Sequence, residues 1–279
     1  MVRVFAIACV LSCLAASASG QTQSAPGAAA TQTTTAAKPA AKKPTPKART
    51  RAKPPASADA GPCQIGVIPV NANRFAVQKV GLTILGNEYA QVPVDGWGLD
   101  DLMVTRVRAA AAVSAVRKIA YTKEDLQRAK SDSFFHNINA EWRDFVRQVA
   151  AGANCQRYVL LTISSSQFAN TNQTVEGFGI LFWGNLIKKR TYLFALTHVR
   201  IFDGQTFELI KEAQSAGDDV SLGAMLIGDN PIRGPSREVD ETSFPATPAE
   251  AATNPALREG ARALLAASLD KTLPAMLRQ

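Results

Sequence analysis

Between Gln21 and Gly61 the chain carries no isoleucine, leucine, valine or aromatic residue. Ala, Thr, Pro, Lys and Gln dominate the segment. Such a chain cannot bury enough apolar surface to offset the entropy lost on ordering. Any core must therefore come from the residues on either side, and the N-terminal side is short. Arg3 is followed by an uncharged stretch from Val4 to Ala16, then by Ala16-Ser17-Ala18 and Ala18-Ser19-Gly20. A basic start, an apolar centre and a small-residue exit are the layout of a secretory signal peptide. The apolar run is too short to cross about 30 Å of hydrocarbon as a helix. Residues 1–20 thus read as a signal peptide, 21–61 as a disordered linker and 62–279 as one globular domain.

The compartment follows from this layout: periplasmic or secreted. Val10-Leu11-Ser12-Cys13 loosely resembles a bacterial lipobox, which would instead leave the chain lipid-anchored through Cys13. The formal net charge of +8 suggests a nucleic-acid partner, but its distribution argues against one. The linker holds Lys38, Lys42, Lys43, Lys47, Arg49, Arg51 and Lys53 against the single acid Asp59. From Pro62 onward there are 23 bases and 22 acids, so the folded part is close to neutral. Without aromatics the linker offers no platform for stacking bases. It reads as a solubilising spacer, about 35–40 Å across as a coil. The alternative reading is a weak contact with an anionic surface. No specific nucleic acid is expected.

Gln64 to Val70 predicts a first strand and Arg74 to Leu85 a second, closed by Gly86-Asn87. Leu99, Met103, Val107 and Ala110 fall on one face of a helix with Asp100 as its N-cap, running to about Val116. Arg117 to Tyr121 predicts a short strand, and Thr122 to Asp125 a capping box that opens a short helix. Phe135, Ile138, Trp142, Phe145 and Val149 step by 3, 4, 3 and 4, a helical stripe ended by Gly152. Tyr158 to Ser164, Val175 to Ile187 and Thr191 to Phe202 are β-rich. Asp203-Gly204 gives the strongest hairpin signal, with Thr206 to Ile210 as its second strand. The last strands read as an antiparallel meander. Residues 228 to 255 carry no periodicity and read as a loop. Asn254-Pro255 then caps a last helix with Leu257, Ala261, Leu265 and Leu269 on one face. The fold class is α/β (α+β), a mixed, largely antiparallel sheet with helices packed on it.

Cys63 and Cys155 are the two thiols left after signal cleavage. In an oxidising compartment they are most simply a disulfide, since each precedes a strand. Two buried free cysteines and a reactive nucleophile are the alternatives. Only His136 and His198 occur, on a helix and in mid-strand, and nothing in the sequence brings them together. That leaves no metal cluster and no expected cofactor. Asp100-Asp101 is explained by helix capping, and Asp218-Asp219 follows Gly217 in a loop that could hold a cation. Asp95, Asp100, Asp101, Asp218 and Asp219 could also converge as carboxylates. Ser164-Ser165-Ser166 ends a strand but lacks a nucleophile elbow. Gly177-Phe178-Gly179 completes no phosphate loop. It reads as a strand kink, and Phe178, Ile180, Phe182 and Trp183 beside it as sheet core. The alternative site is Ser165 with His198, Asp218 and Asp219, residues that the sequence alone does not assemble into a constellation.

Three segments, Gln64-Ile-Gly-Val-Ile-Pro-Val, Tyr158-Val-Leu-Leu-Thr-Ile and Val199-Arg-Ile-Phe-Asp-Gly-Gln-Thr-Phe-Glu-Leu-Ile, form a pattern of their own. It resembles the α/β domain of bacterial envelope accessory proteins, the group of the curli-secretion lipoprotein and the penicillin-binding-protein activator lipoproteins. The resemblance implies an exported accessory domain on a tether and transfers no functional residue. The expectation is a non-enzymatic envelope protein that binds a partner protein or a cell-wall polymer. The competing expectation is an exported hydrolase with a site near Ser164–Ser166 and Asp218-Asp219.

Overall fold

A computed structural model describes residues 62–70, 73–81, 86–111, 115–129, 137–169, 171–184, 189–217 and 232–278. The signal-peptide and linker readings lie outside the described residues. The elements are β1 (Cys63–Val70), β2 (Arg74–Val80), β3 (Glu88–Pro93), α1 (Leu99–Ala111), β4 (Val116–Lys118), α2 (Lys123–Ala129), α3 (Ile138–Val149) and β5 (Cys155–Ile163). They continue with β6 (Ser165–Gln167), β7 (Thr174–Glu176), β8 (Phe178–Gly184), β9 (Lys189–Ala195), β10 (Thr197–Asp203), β11 (Leu209–Gln214) and β12 (Ser236–Val239). Two helices close the chain, α4 (Pro248–Thr253) and α5 (Pro255–Leu277).

The class is the mixed α/β expected, built on two five-stranded sheets rather than one. The first has the order β11-β10-β5-β1-β4 and the second β12-β9-β8-β2-β3, with β6 and β7 a separate pair. Among the described residues, three of the nine strand pairings are parallel, β1 with β4, β1 with β5 and β2 with β8, and the rest are antiparallel. The Thr191–Phe202 run is two strands, not one. It breaks at Leu196, where β9 of the second sheet gives way to β10 of the first. The expected meander is therefore divided between the sheets. Leu196 N bonds Gly177 O, and its own carbonyl accepts from Ser164 N, so the two sheets meet at this break.

The burial pattern explains the layering. β1 is buried at every position but Gln64, as a strand covered on both faces must be. On one side, Ile68, Tyr158, Leu160 and Phe202 pack with Phe145 and Val146 of α3. On the other, Val67, Val159, Leu161, Val199 and Ile201 share a core with α1, α5 and the inner face of the second sheet, including Phe75, Ile180 and Leu193. The outer face of the second sheet packs Ala76, Leu181, Tyr192 and Phe194 against Phe168, Val175 and Ile232. Phe178 and Ile180 are buried in the sheet core, and half-buried Phe182 and Trp183 meet Phe244 and Phe168. In α5 the predicted stripe is fully realised. Leu257, Ala261, Leu265 and Leu269 are all buried, and each leucine is worth about 1.5–3 kcal/mol.

Several boundaries differ from the sequence reading. α1 begins at Leu99, after Gly98 in a left-handed conformation (φ 62°), so Asp100 and Asp101 sit inside the first turn. Their charges there face the positive end of the helix dipole rather than capping it. The same helix stops at Ala111, and Val116 already belongs to β4. β3 was not anticipated, and the 228–255 stretch contains β12 and α4. Asp203 closes the hairpin as expected, accepting from the amides of Gln205 and Thr206, but its second strand starts only at Leu209. The Thr122–Asp125 capping box forms in both directions, Asp125 N to Thr122 Oγ1 and Thr122 N to Asp125 Oδ2.

Candidate functional site

Cys63 and Cys155 open β1 and β5, and the parallel register sets them directly opposite each other. Their Cα atoms are 4.4 Å apart and the sulfurs are bonded. Both residues are buried, and Cys155 N donates to Tyr158 Oη at 3.2 Å. The bond is a staple inside the core of the first sheet.

Among the described residues, the buried charge of this core is Arg200, further along the same sheet. The two-residue period of β10 points Val199 and Ile201 toward α5, and His198, Arg200 and Phe202 toward α3. The pairing sets Thr162 of β5 opposite His198, and Glu212 of β11 opposite Arg200. The Arg200 side chain is only 9% exposed. Its Nη1 donates to Thr162 Oγ1 at 3.2 Å, and its Nε lies 3.3 Å from Glu212 Oε2. The guanidinium carbon sits 5.7 Å from the ring centroid of Trp142 on α3, a cation–π contact. His198 Nε2 lies 3.4 Å from the same Glu212 Oε2.

Burial lowers the basicity of Arg200, and the Glu212 carboxylate opposes that effect. Burial, then the Arg200 cation, push the His198 imidazole below its ordinary pKa, against the pull of Glu212. The imidazole is thereby kept toward its neutral form beside the Arg200 cation. The Arg200 and Glu212 charges compensate one another, and neither Thr162 nor Trp142 is a nucleophile activated by a base. The arrangement pairs a buried arginine with a carboxylate and packs it against Trp142.

A cleft of about 500 Å³ lies between the Pro93–Trp97 turn and the segment from Ala252 to Arg258. Its polar groups are largely used within the fold. The Trp97 indole donates to Ala252 O, Asn254 Oδ1 caps α5, and Arg258 Nε meets Glu259 Oε1 at 3.0 Å.

The residues of the sequence-predicted alternative site are not drawn together by any described contact. Ser165 is exposed on β6, opposite Glu176 of β7, whereas His198 lies in β10 of the first sheet. Ser166 Oγ accepts from Arg233 N at 3.1 Å, and the backbone of Ser164 is held at the junction of the sheets. Asp218, Asp219 and His136 lie outside the described residues. Asp95 is exposed in a short 3-10 turn, and the Asp101 carboxylate meets Lys118 Nζ at 2.8 Å. That hydrogen bond and charge hold the Asp101 carboxyl below its ordinary pKa. Among the described residues, no group of three or more His, Cys, Asp or Glu side chains is placed to hold a metal ion. The sequence reading found His198 but missed Arg200, Glu212 and Trp142. The available signal was an arginine two residues from a histidine, in a strand whose other central residues, Val199, Ile201 and Phe202, are apolar.

No family model matches the chain, and no curated protein does. Among solved structures, it is similar to protein XCC0632 from Xanthomonas campestris, of family DUF330. That match has 7% identity and a TM-score of 0.35, over 78% of this chain and 86% of that one. It is similar to PelC from Paraburkholderia phytofirmans, solved as a dodecamer, at 10% identity and a TM-score of 0.31, over 78% and 90% of the two chains. A third is lipoprotein GNA1162 from Neisseria meningitidis, at 11% identity and a TM-score of 0.22, over 60% and 93%. Among the described residues no helix is long and apolar enough to cross a membrane.

Proposed function

We propose that the chain is an exported cell-envelope protein that acts by binding a partner protein or a cell-wall component. The observation that carries the export reading is the buried Cys63–Cys155 bond, in a chain whose first twenty residues have the layout of a signal peptide. A protein disulfide persists where the compartment is oxidising. Support for binding over catalysis comes from the His198 group. A catalytic acid or base must lie within hydrogen-bond reach of the group it serves, and His198 faces a carboxylate already engaged by Arg200.

The test uses the full chain with a C-terminal tag in a bacterial host. Export predicts a processed protein in the envelope fraction whose Cys63 and Cys155 react with a maleimide only after reduction. A cytosolic protein with both thiols free overturns the export reading. Binding predicts co-sedimentation with purified sacculi or a specific cross-link to one envelope protein, without turnover of esterase, phosphatase, glycosidase or peptidase substrates. Turnover that disappears in a folded Ser165→Ala variant overturns it in favour of a hydrolase.

A further inference from the structure

α3 is held unevenly. Its C-terminal half is anchored by Phe145 and Val146, both fully buried. Its first turn is not, since Ile138 is 51% exposed and Asn139 is exposed as well. Between them, half-buried Trp142 rests on the Arg200 guanidinium. Trp142, which also meets Phe145 edge-on, thus ties the beginning of the helix to the buried arginine of the sheet, and His198 shares that cation's counter-ion.

The groups around His198 can be named. On its own strand it has Arg200, and on β11 Glu212, whose Oε2 is the oxygen that both Arg200 Nε and His198 Nε2 approach. On β5 its partner is the uncharged Thr162, bonded to Arg200. On α3 the charged neighbours of Trp142 are Glu141 and Arg143. Arg143 is engaged by Asp144 and Glu208. A proton on His198 therefore places a second cation beside a buried one, with a single carboxylate oxygen between them. β10 cannot move to relieve this, because it is paired on both edges. The helix above it can.

We propose that protonation of His198 releases the Trp142 end of α3 from the first sheet, so that this roof opens in acid while the sheet stays intact. An imidazole opened to water takes up its proton near its ordinary pKa of about 6.5. In the closed roof, burial and Arg200 hold the imidazole lower. Acid therefore favours the open form progressively below about pH 6.5, and above that value the closed form keeps its full advantage.

The test is 19F NMR of the full chain labelled with 5-fluorotryptophan, titrated from about pH 8 to 4.5 across the histidine range. The chain has three tryptophans, Trp97, Trp142 and Trp183, which are assigned by Trp→Phe substitution. The Trp142 resonance is expected to move toward a solvent-exposed shift with a midpoint below about 6.5, while buried Trp97 stays in place. In His198→Gln the step disappears. In Glu212→Gln, which removes the anion that tempers both cations in the closed roof, the midpoint moves to higher pH. A Trp142 signal that is flat through the titration overturns the proposal. So does one that titrates unchanged in His198→Gln, which would assign the step to a carboxylate. If His198→Gln does not fold, His198→Asn and Glu212→Gln decide between the same outcomes.

Discussion

Replacing Cys63 and Cys155 together by alanine tests how much of the stability rests on the staple. The bond joins residues 92 apart in sequence. In the chain-entropy account, closing a loop of that length removes about 4–5 kcal/mol of freedom from the denatured state at 25 °C. The alanine pair also deletes two buried sulfur atoms, which adds on the order of 1 kcal/mol. The expected loss is thus about 4–6 kcal/mol, a large share of the 5–15 kcal/mol that holds a typical domain together. For a domain of this size each kcal/mol shifts Tm by roughly 2–4 °C, so the variant should melt on the order of 8–24 °C lower.

Urea unfolding of the wild type, the reduced wild type and the double alanine variant separates the contributions. Both perturbed forms should lose midpoint together. Both should show a larger m, because an uncross-linked denatured chain exposes more surface. Refolding should slow as well, since β1 and β5 pair in parallel across this whole loop and the cross-link removes that search. If the midpoint, m and refolding rate are all unchanged, the stability of the first sheet comes from packing and strand pairing alone, and the reasoning fails.

Two further substitutions probe the second sheet and the last helix. An alanine at Gly179 would bring its Cβ to 2.6 Å from Ala76 O and 2.9 Å from Ala76 Cβ, so β2 and β8 must separate. Gly179→Ala should cost about 1–3 kcal/mol in urea unfolding, and an unchanged midpoint would mean the strands already have room. Asn254 Oδ1 accepts from the amides of Ala256 and Leu257. Asn254→Ala should lower stability by about 1 kcal/mol with helix content by circular dichroism almost unchanged, because the rest of α5 is held by its buried leucines.

The fold was legible wherever a single periodicity ran through a whole element. α5 shows this best, with a cap, an N1 proline and a leucine face that the core uses as written. The short elements were not. β3 has one buried residue, Val92, and β12 has Ser236 as its buried position, so neither carries an apolar alternation to find. The division of the Thr191–Phe202 run was hidden for the opposite reason. β9 and β10 are both covered on two faces, so the apolar residues run on through Leu196 without marking where one sheet ends and the other begins. Backbone hydrogen bonds of Leu196 and Ser164, not side-chain pattern, make that boundary.

The candidate site was hidden by a different property of sequence. Histidine, arginine, glutamate and tryptophan acquire meaning there from register, and register is fixed by which strands become neighbours. His198-Val199-Arg200 says only that two polar residues share one face of a strand. That Glu212 meets Arg200 depends on the hairpin shift between Ile201 and Phe202, which sets Ile201 opposite Lys211 and Phe202 opposite Leu209. Without that irregularity the regular ladder would carry another pairing to the Arg200 end. Glu212 would then no longer stand between Arg200 and His198, and a buried guanidinium would lack its counter-ion. Leaving a buried charge unpaired costs several kcal/mol, so this part of the sheet has reason to keep its bulge. The Asp203 turn is what permits it. Its carboxylate fixes Gln205 and Thr206, and Phe207 at φ 61° then lets the chain re-enter the sheet at Leu209 rather than at Thr206. The hairpin that was the clearest signal in the sequence thus also sets the register of its least legible site.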